Sequence, residues 1–271
     1  MSRLALTTLG IGLLSAGAVT AAPSAGTPDF SAIQMTVAVQ DLTTGANAFG
    51  SYGSEQDWIS VLDKESGRVD YILNTAPGAT RLNDGSWGKF NAGTAFDPDP
   101  MLLLAGSAVN NGTSSLLYTF SFNAPMSPAL TGPITSSASL GITLTDGAGN
   151  GASLTRFGSD PYMLQSVDFF GSGASFGQVS KDVDVGSALQ VFAGALSPTA
   201  TQTFSKAGTL TCVIACTVMS ARMSFVLSPG DAMSFSGLIA QNAAPVPLPA
   251  AFWLLCSGLG ALGTAARRRK A

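Results

Sequence analysis

Leu116-Leu117-Tyr118-Thr119-Phe120-Ser121-Phe122 is the stretch on which the fold turns. Successive side chains of a strand alternate between its faces. Leu116, Tyr118, Phe120 and Phe122 therefore share one side, and Leu117, Thr119 and Ser121 the other. An apolar side set against a mostly polar one predicts a half-buried strand. The same period recurs downstream at Leu140, Ile142 and Leu144, where Asp146-Gly147-Ala148-Gly149-Asn150-Gly151 closes the run. It recurs upstream at Met35, Val37 and Val39, followed by a turn at Asp41-Leu42-Thr43-Thr44-Gly45.

The rest of the chain reads in the same way. Residues 58–62 and 69–73 are expected strands, with a turn at 63–67 between them. Residues 74–100 are rich in Asn, Gly, Pro and Asp. They predict a long loop, with a tight turn at Asn83-Asp84-Gly85. Val167 with Phe169, and residues 189–193, suggest two further strands. Residues 223–227 and 232–235 flank Ser228-Pro229-Gly230-Asp231. Pro followed by Gly at the centre predicts a type II turn, and the whole predicts a β-hairpin. Short strands between Gly, Pro and Asn turns, without a long helical period, predict an all-β protein, an antiparallel β-sandwich or jelly roll. No fixed-length repeat argues for a solenoid or propeller.

Composition narrows the function classes. Residues 22–244, about 220 in number, suffice for one large domain or two small ones. They hold all 16 acidic residues and 8 of the 13 basic ones, a net charge of −8. Such a surface repels nucleic acid and argues against a polybasic membrane-binding role. Charged residues make up 11% of the chain and apolar ones 46%, which favours a folded β-rich body over disorder. Histidine is absent. That removes Ser-His-Asp and Cys-His catalysis and every His-ligated metal site.

The two ends carry addresses. Residues 1–21 have the parts of a secretory signal peptide: Arg3, an apolar run over 4–19, and small residues ending at Ala21. Cleavage is expected after Ala21, which leaves Ala22 first. Signal peptidase and the Sec machinery are the partners this implies. At the other end, Val246-Pro247-Leu248-Pro249-Ala250 opens an uncharged apolar run. From Pro249 to Ala266 that run is 18 residues long, within the roughly 17–25 that cross a bilayer as a helix. Arg267, Arg268, Arg269 and Lys270 follow as a stop-transfer cluster that stays cytoplasmic. Residues 22–244 are then expected outside the cytoplasm, and 245–271 form the tail.

This tail resembles the C-terminal sorting signal of the PEP-CTERM class, in the proteobacterial variant whose motif reads Val-Pro-Leu-Pro-Ala. Val246, Pro247, Leu248, Pro249 and Ala250 match that motif in full. The strand end at 227–231 is loosely similar to the last hairpin of many ectodomains of that class. The resemblance implies an exosortase, a membrane-embedded cysteine transpeptidase, as partner. It would cut in or just after residues 246–250 and release the ectodomain or join it to an envelope acceptor. The precursor would face the periplasm from the inner membrane, and the mature form would reach the cell surface or the medium.

Candidate sites elsewhere each have a plain alternative. Cys212 and Cys216 fall in an apparent strand with Leu210, Ile214 and Val218 on one face. A straight strand would hold the two cysteines roughly 13 Å apart, beyond the ~7 Å that a disulfide spans. A bridge expected in an oxidising compartment therefore requires a turn or bulge at 213–215. The alternative is a pair of small buried residues. Asp146 and Asn150 offer oxygen ligands for Ca²⁺ on a Gly-rich turn, or simply a turn. Asp97 and Asp99 are a second such pair. Glu55, Asp57, Asp63, Glu65 and Asp84 supply carboxylates for glycoside hydrolysis, or solvated loop charges. Trp58 and Trp87 are candidate platforms for sugar rings, or core aromatics. No residue motif points to catalysis or to a cofactor. A structural or adhesive ectodomain in contact with extracellular polysaccharide is the leading expectation, ahead of a polysaccharide hydrolase or a calcium-dependent sugar binder.

Overall fold

The computed structural model describes residues 33–52, 58–62, 69–73, 88–97, 100–159, 162–170, 177–181, 183–193 and 197–243. Every regular element among them is a β-strand. In chain order these are β1 (Gln34–Asp41), β2 (Asn47–Tyr52), β3 (Trp58–Leu62), β4 (Val69–Leu73), β5 (Gly88–Asp97), β6 (Met101–Asn110) and β7 (Leu116–Thr145), then β8 (Ala152–Thr155), β9 (Leu164–Phe170), β10 (Gly177–Lys181), β11 (Leu189–Val191), β12 (Thr199–Leu227) and β13 (Ala232–Ala243). All pairings are antiparallel, and all 13 strands belong to one hydrogen-bonded sheet.

Two very long strands organise it. β7 has 30 residues and β12 has 29. They pair from Leu116 opposite Leu227 to Thr145 opposite Thr199. Straight, such a ribbon would run roughly 100 Å, so it has to curl. The first part of β7 has β1 on its other edge, and β1 carries β2. The last part of β7 has β13 there instead, followed in turn by β6, β5, β4 and β3. β9 and β10 extend the sheet beyond the last part of β12. The result is an antiparallel sheet curled like half a barrel, with the core on its concave face.

Alternation fills that face as expected. Met35, Val37, Val39, Leu116, Tyr118, Phe120, Phe122, Leu140, Ile142 and Leu144 are all buried. Across the curl, the Phe120 ring lies 6.4 Å from that of Phe235 on β13, and Phe122 lies 5.9 Å from Phe96 on β5. Tyr118 stacks on Phe225 at 5.3 Å, and its hydroxyl donates to the Val109 carbonyl at 2.8 Å. Burial pushes the Tyr118 phenol above its ordinary pKa. Each such aromatic contributes about 1.5–3 kcal/mol by leaving water.

Three expectations need correction. The separate strands expected at 116–122 and 140–144 are one strand, which pairs with β12 on both sides of a bulge between Cys212 and Val218. The long loop expected over 74–100 contains β5, whose run 88–97 pairs with β6; its Gly and Asn residues obscured the strand. The turn at Ser228–Asp231 is present, and Gly230 takes the positive φ of 79° that a type II turn requires. The strands beside it do not form a hairpin, however. β12 ends against β7 and β8, while β13 starts against β6 and the far end of β7. The turn therefore carries the chain across the curl. The turns expected at 63–67 and 83–85 lie outside the described residues.

The sheet has two distinct ends. The turns at 42–45, 110–115, 146–151 and 228–231 gather at one, since Asp41, Leu116 and Leu227 are in register there, as are Asn110, Asp231 and Gly230. At the other lies the bend of the β7–β12 ribbon. β1 begins there with Gln34 beside Asn123, and β13 finishes there with Ala243 beside Ile134.

Candidate functional site

The turn end is built from buried polar groups. Asn110 has no exposed surface. Its Nδ2 donates to the carbonyls of Ser114 at 2.8 Å and Leu227 at 3.0 Å, and its Oδ1 accepts from Gly112 N–H at 2.9 Å. Its backbone exchanges hydrogen bonds with the crossing turn: Asn110 N–H donates to Asp231 O, and Gly230 N–H donates to Asn110 O. Ser228 ties the same turn to β8, accepting from Ser153 N–H through Oγ at 2.6 Å, with Ser153 O and Asp231 Oδ2 both in reach of its single hydroxyl proton.

Two aspartates there have their pKa values shifted in opposite directions. Asp41 is buried, which raises its pKa. Hydrogen bonds from Thr43 N–H, Ser114 Oγ and Thr44 N–H outweigh this and hold the carboxyl below its usual 3.8. Asp231 is pushed above 3.8 by burial, despite donors from Ser228 and Gly147, and the neighbouring Asp146 charge pushes the same way.

Asp146 and Asn150, the candidate calcium ligands, lie on the loop between β7 and β8. Asp146 Oδ1 accepts from Gly149 N–H at 2.7 Å and Oδ2 from Gly151 N–H at 2.8 Å. Both oxygens staple the loop, while Asn150 is exposed. Glu55, Asp57, Asp63, Glu65, Asp84, Trp87 and Asp99 lie outside the described residues. Trp58 falls on β3 and Asp97 ends β5.

At the bend, Cys212 and Cys216 are joined in a disulfide with Cα atoms 5.8 Å apart. Pairing skips from Cys212 opposite Gly132 to Cys216 opposite Leu130, so the bulge that a bridge demands is there. Both cysteines are buried, whereas Val213 is 88% exposed and Ile214 56%. Asp168 approaches the two sulfurs, with ligand atoms within 4.8 Å of one another. The bond occupies both sulfurs, and the Asp168 carboxylate accepts from Gln241 Nε2 at 2.8 Å.

Two surfaces that residue motifs did not announce complete the candidates. The convex face of β12, β7 and β13 carries Thr199, Thr201, Thr203, Ser205, Thr209 and Thr211. Beside them stand Thr135, Ser137, Ser139, Thr143 and Thr145, then Ser234 and Ser236. None of the outward positions on these three stretches is charged. Hydroxyls repeat about every 6.6 Å along a strand and 4.8 Å across strands, and Thr143 and Thr201 hydrogen-bond at 3.1 Å. The signal was legible in hindsight as Thr-x-Thr-x-Thr at 199–203, but only pairing shows that β7 and β13 extend it. Along the same stretch of β12, a groove of about 470 Å³ is lined by Tyr162, Asp184, Ser187, Thr203 and Lys206 among others. The Lys206 ammonium sits 5.2 Å from the Tyr162 ring centroid. Among the described residues that line it, Asp184 is the single carboxylate, whereas glycoside hydrolysis needs two.

Compared with known proteins, the chain matches no protein-family profile and no curated protein.

Proposed function

We propose that this chain is an exported bacterial surface protein: a β-ectodomain, structural or adhesive in role, delivered by a signal peptide and carrying an exosortase-recognised sorting tail. The observation that carries the reading is the run of Val246, Pro247, Leu248, Pro249 and Ala250 before an uncharged apolar segment and Arg267–Lys270. The Cys212–Cys216 bridge supports it, since disulfides persist outside the reducing cytoplasm. The finer architecture belongs to the same proposal. Phe120 facing Phe235 across the curl supports two layers of a sandwich. The uncharged hydroxyl face on β12, β7 and β13 suits contact with a neutral polyhydroxylated matrix, which needs hydrogen-bonding groups without a charge to desolvate.

Mass spectrometry of the mature C-terminus, with and without the exosortase, tests the sorting step. A new C-terminus within or just after residues 246–250, seen only with the enzyme, is expected. An intact Ala271 in both strains overturns it. For the adhesive role, T201E with T209E places two charges on the face at exposed positions. Retention on neutral polysaccharide should fall while thermal unfolding stays unchanged; unaltered retention removes that face from the proposal.

A further inference from the structure

The bend of the β7–β12 ribbon combines three features that the sorting reading does not use. The first is an apolar tip: Val213 and Ile214 project into solvent from between two buried cysteines. A disulfide that closes so short a loop fixes the tip and leaves it little freedom to fold inward. The second is an absence of charge: residues 124–133 of β7 and 207–217 of β12, which form the bend, include no Asp, Glu, Lys or Arg. The third is direction. β12 and β13 both run antiparallel to β7, so they run the same way. Ala243, Ile134 and Leu210 stand abreast in register. Val213 therefore lies roughly 10 Å across from the last residue of β13 and roughly 10 Å further along. Five residues separate Ala243 from Pro249, the first of the apolar run, and they reach roughly 20 Å at full extension.

We infer that Val213 and Ile214 form a membrane-contacting knuckle, seated in the lipid headgroup–acyl boundary beside the emerging tail. The inference rests on residues 249–266 spanning the bilayer. A span tethered so closely holds the bend against the membrane and points the turn end, with Asp41, Asp146 and Asp231, away from it. Two exposed aliphatic side chains then leave water, and the bend that accompanies them has no charge to desolvate. The occupant is the bilayer interface. The acidic surroundings of the domain favour a zwitterionic over an anionic lipid surface.

The test uses the full-length chain in phosphatidylcholine vesicles, with a reporter tryptophan at the bend (V213W) or at the turn end (T44W). Trp58, Trp87 and Trp253 give both variants the same background. Expected is resistance to alkaline extraction, with V213W emission blue-shifted and quenched beyond the wild type by lipids brominated about 5–10 Å below the headgroups, and T44W quenched no more than the wild type. Resistance to extraction with V213W quenched no more than T44W overturns the knuckle and leaves the span standing. Release by alkali removes the span, and the knuckle with it.

Discussion

At one end of the sheet, Asn110, Ser228, Asp41 and Asp231 hold turns together through buried side-chain hydrogen bonds. At the other, one covalent bond pins a bulge in the β7–β12 ribbon, and the residues of the bend are apolar or small. The difference follows from what each end has to satisfy. Four connections converge at the turn end, bringing many backbone N–H and C=O groups that no ladder pairs, and buried ones need partners. At the bend two strands continue through, so few backbone groups are released and the problem is entropic: a bulge has to be held in one conformation. Polar side chains solve the first problem, and a short cross-link solves the second.

The largest effect is expected where the polar network is densest. N110A removes both donors that satisfy the carbonyls of Ser114 and Leu227, and the acceptor for Gly112 N–H. Urea denaturation should show a loss of about 2–4 kcal/mol, since each buried group left unsatisfied costs roughly 1–3. A loss under ~1 kcal/mol would mean that water reaches the turn cluster and that the two ends are less different than drawn.

The bend should respond less. For so short a loop the chain-entropy argument gives about 2 kcal/mol, so C212A with C216A, or reduction of the wild-type chain, should lower stability by that amount. Because Asn110 and the disulfide sit at opposite ends, their effects should add. Reductant applied to N110A is therefore expected to give the same further decrement. A disulfide loss larger than the N110A loss would reverse the comparison.

Titration sharpens it further, because the pKa values of Asp41 and Asp231 shift in opposite directions. Asp41, with its folded-state pKa held below 3.8, stabilises the protein above the unfolded value, and that contribution vanishes as pH falls through the folded one. Asp231, with its pKa raised above 3.8, stabilises below the unfolded value and loses its contribution as pH rises through the folded one. Relative to wild type, D41N should therefore look worse as pH increases from 3 to 6, and D231N should look better. Parallel curves for the two variants would refute the opposite shifts.

How much of this could be read from the residues alone differs between the ends. Alternation at Met35, Val37 and Val39 and at Leu116, Tyr118, Phe120 and Phe122 gave the core directly, because burial on one face of a strand leaves a period-two trace. The need for a bulge between Cys212 and Cys216 also followed from strand spacing. The turn network did not show. Asn110 precedes Asn111 and Gly112, a turn signal, but its burial depends on the crossing turn at 228–231, more than a hundred residues away. The same long-range pairing defeated the hairpin expected at 223–235 and hid the hydroxyl face, whose three strands are far apart in sequence. The expected export signals rest on residues 1–21 and 245–271, outside the described part, and their reading stays with the motif.

The smallest effect is expected from calcium. Asp146 looked like a ligand because a carboxylate in a Gly-rich turn is oxygen chemistry on a flexible loop. Its two oxygens instead accept from Gly149 and Gly151 N–H, and Gly151 takes a φ of 94° in a loop that packs against the backbone of Ala193. A cation would have to displace two amide donors already oriented at 2.7 and 2.8 Å, and Asn150 is exposed. Millimolar CaCl₂ or EDTA should accordingly leave Tm unchanged. D146A, which removes the staple, should lower Tm modestly, by the roughly 1 kcal/mol that two partly exposed hydrogen bonds contribute. A calcium-dependent rise in Tm that D146A abolishes would turn this loop from a closure of the turn end into its ligand site, and the contrast with the disulfide end would then be one of function as well as of construction.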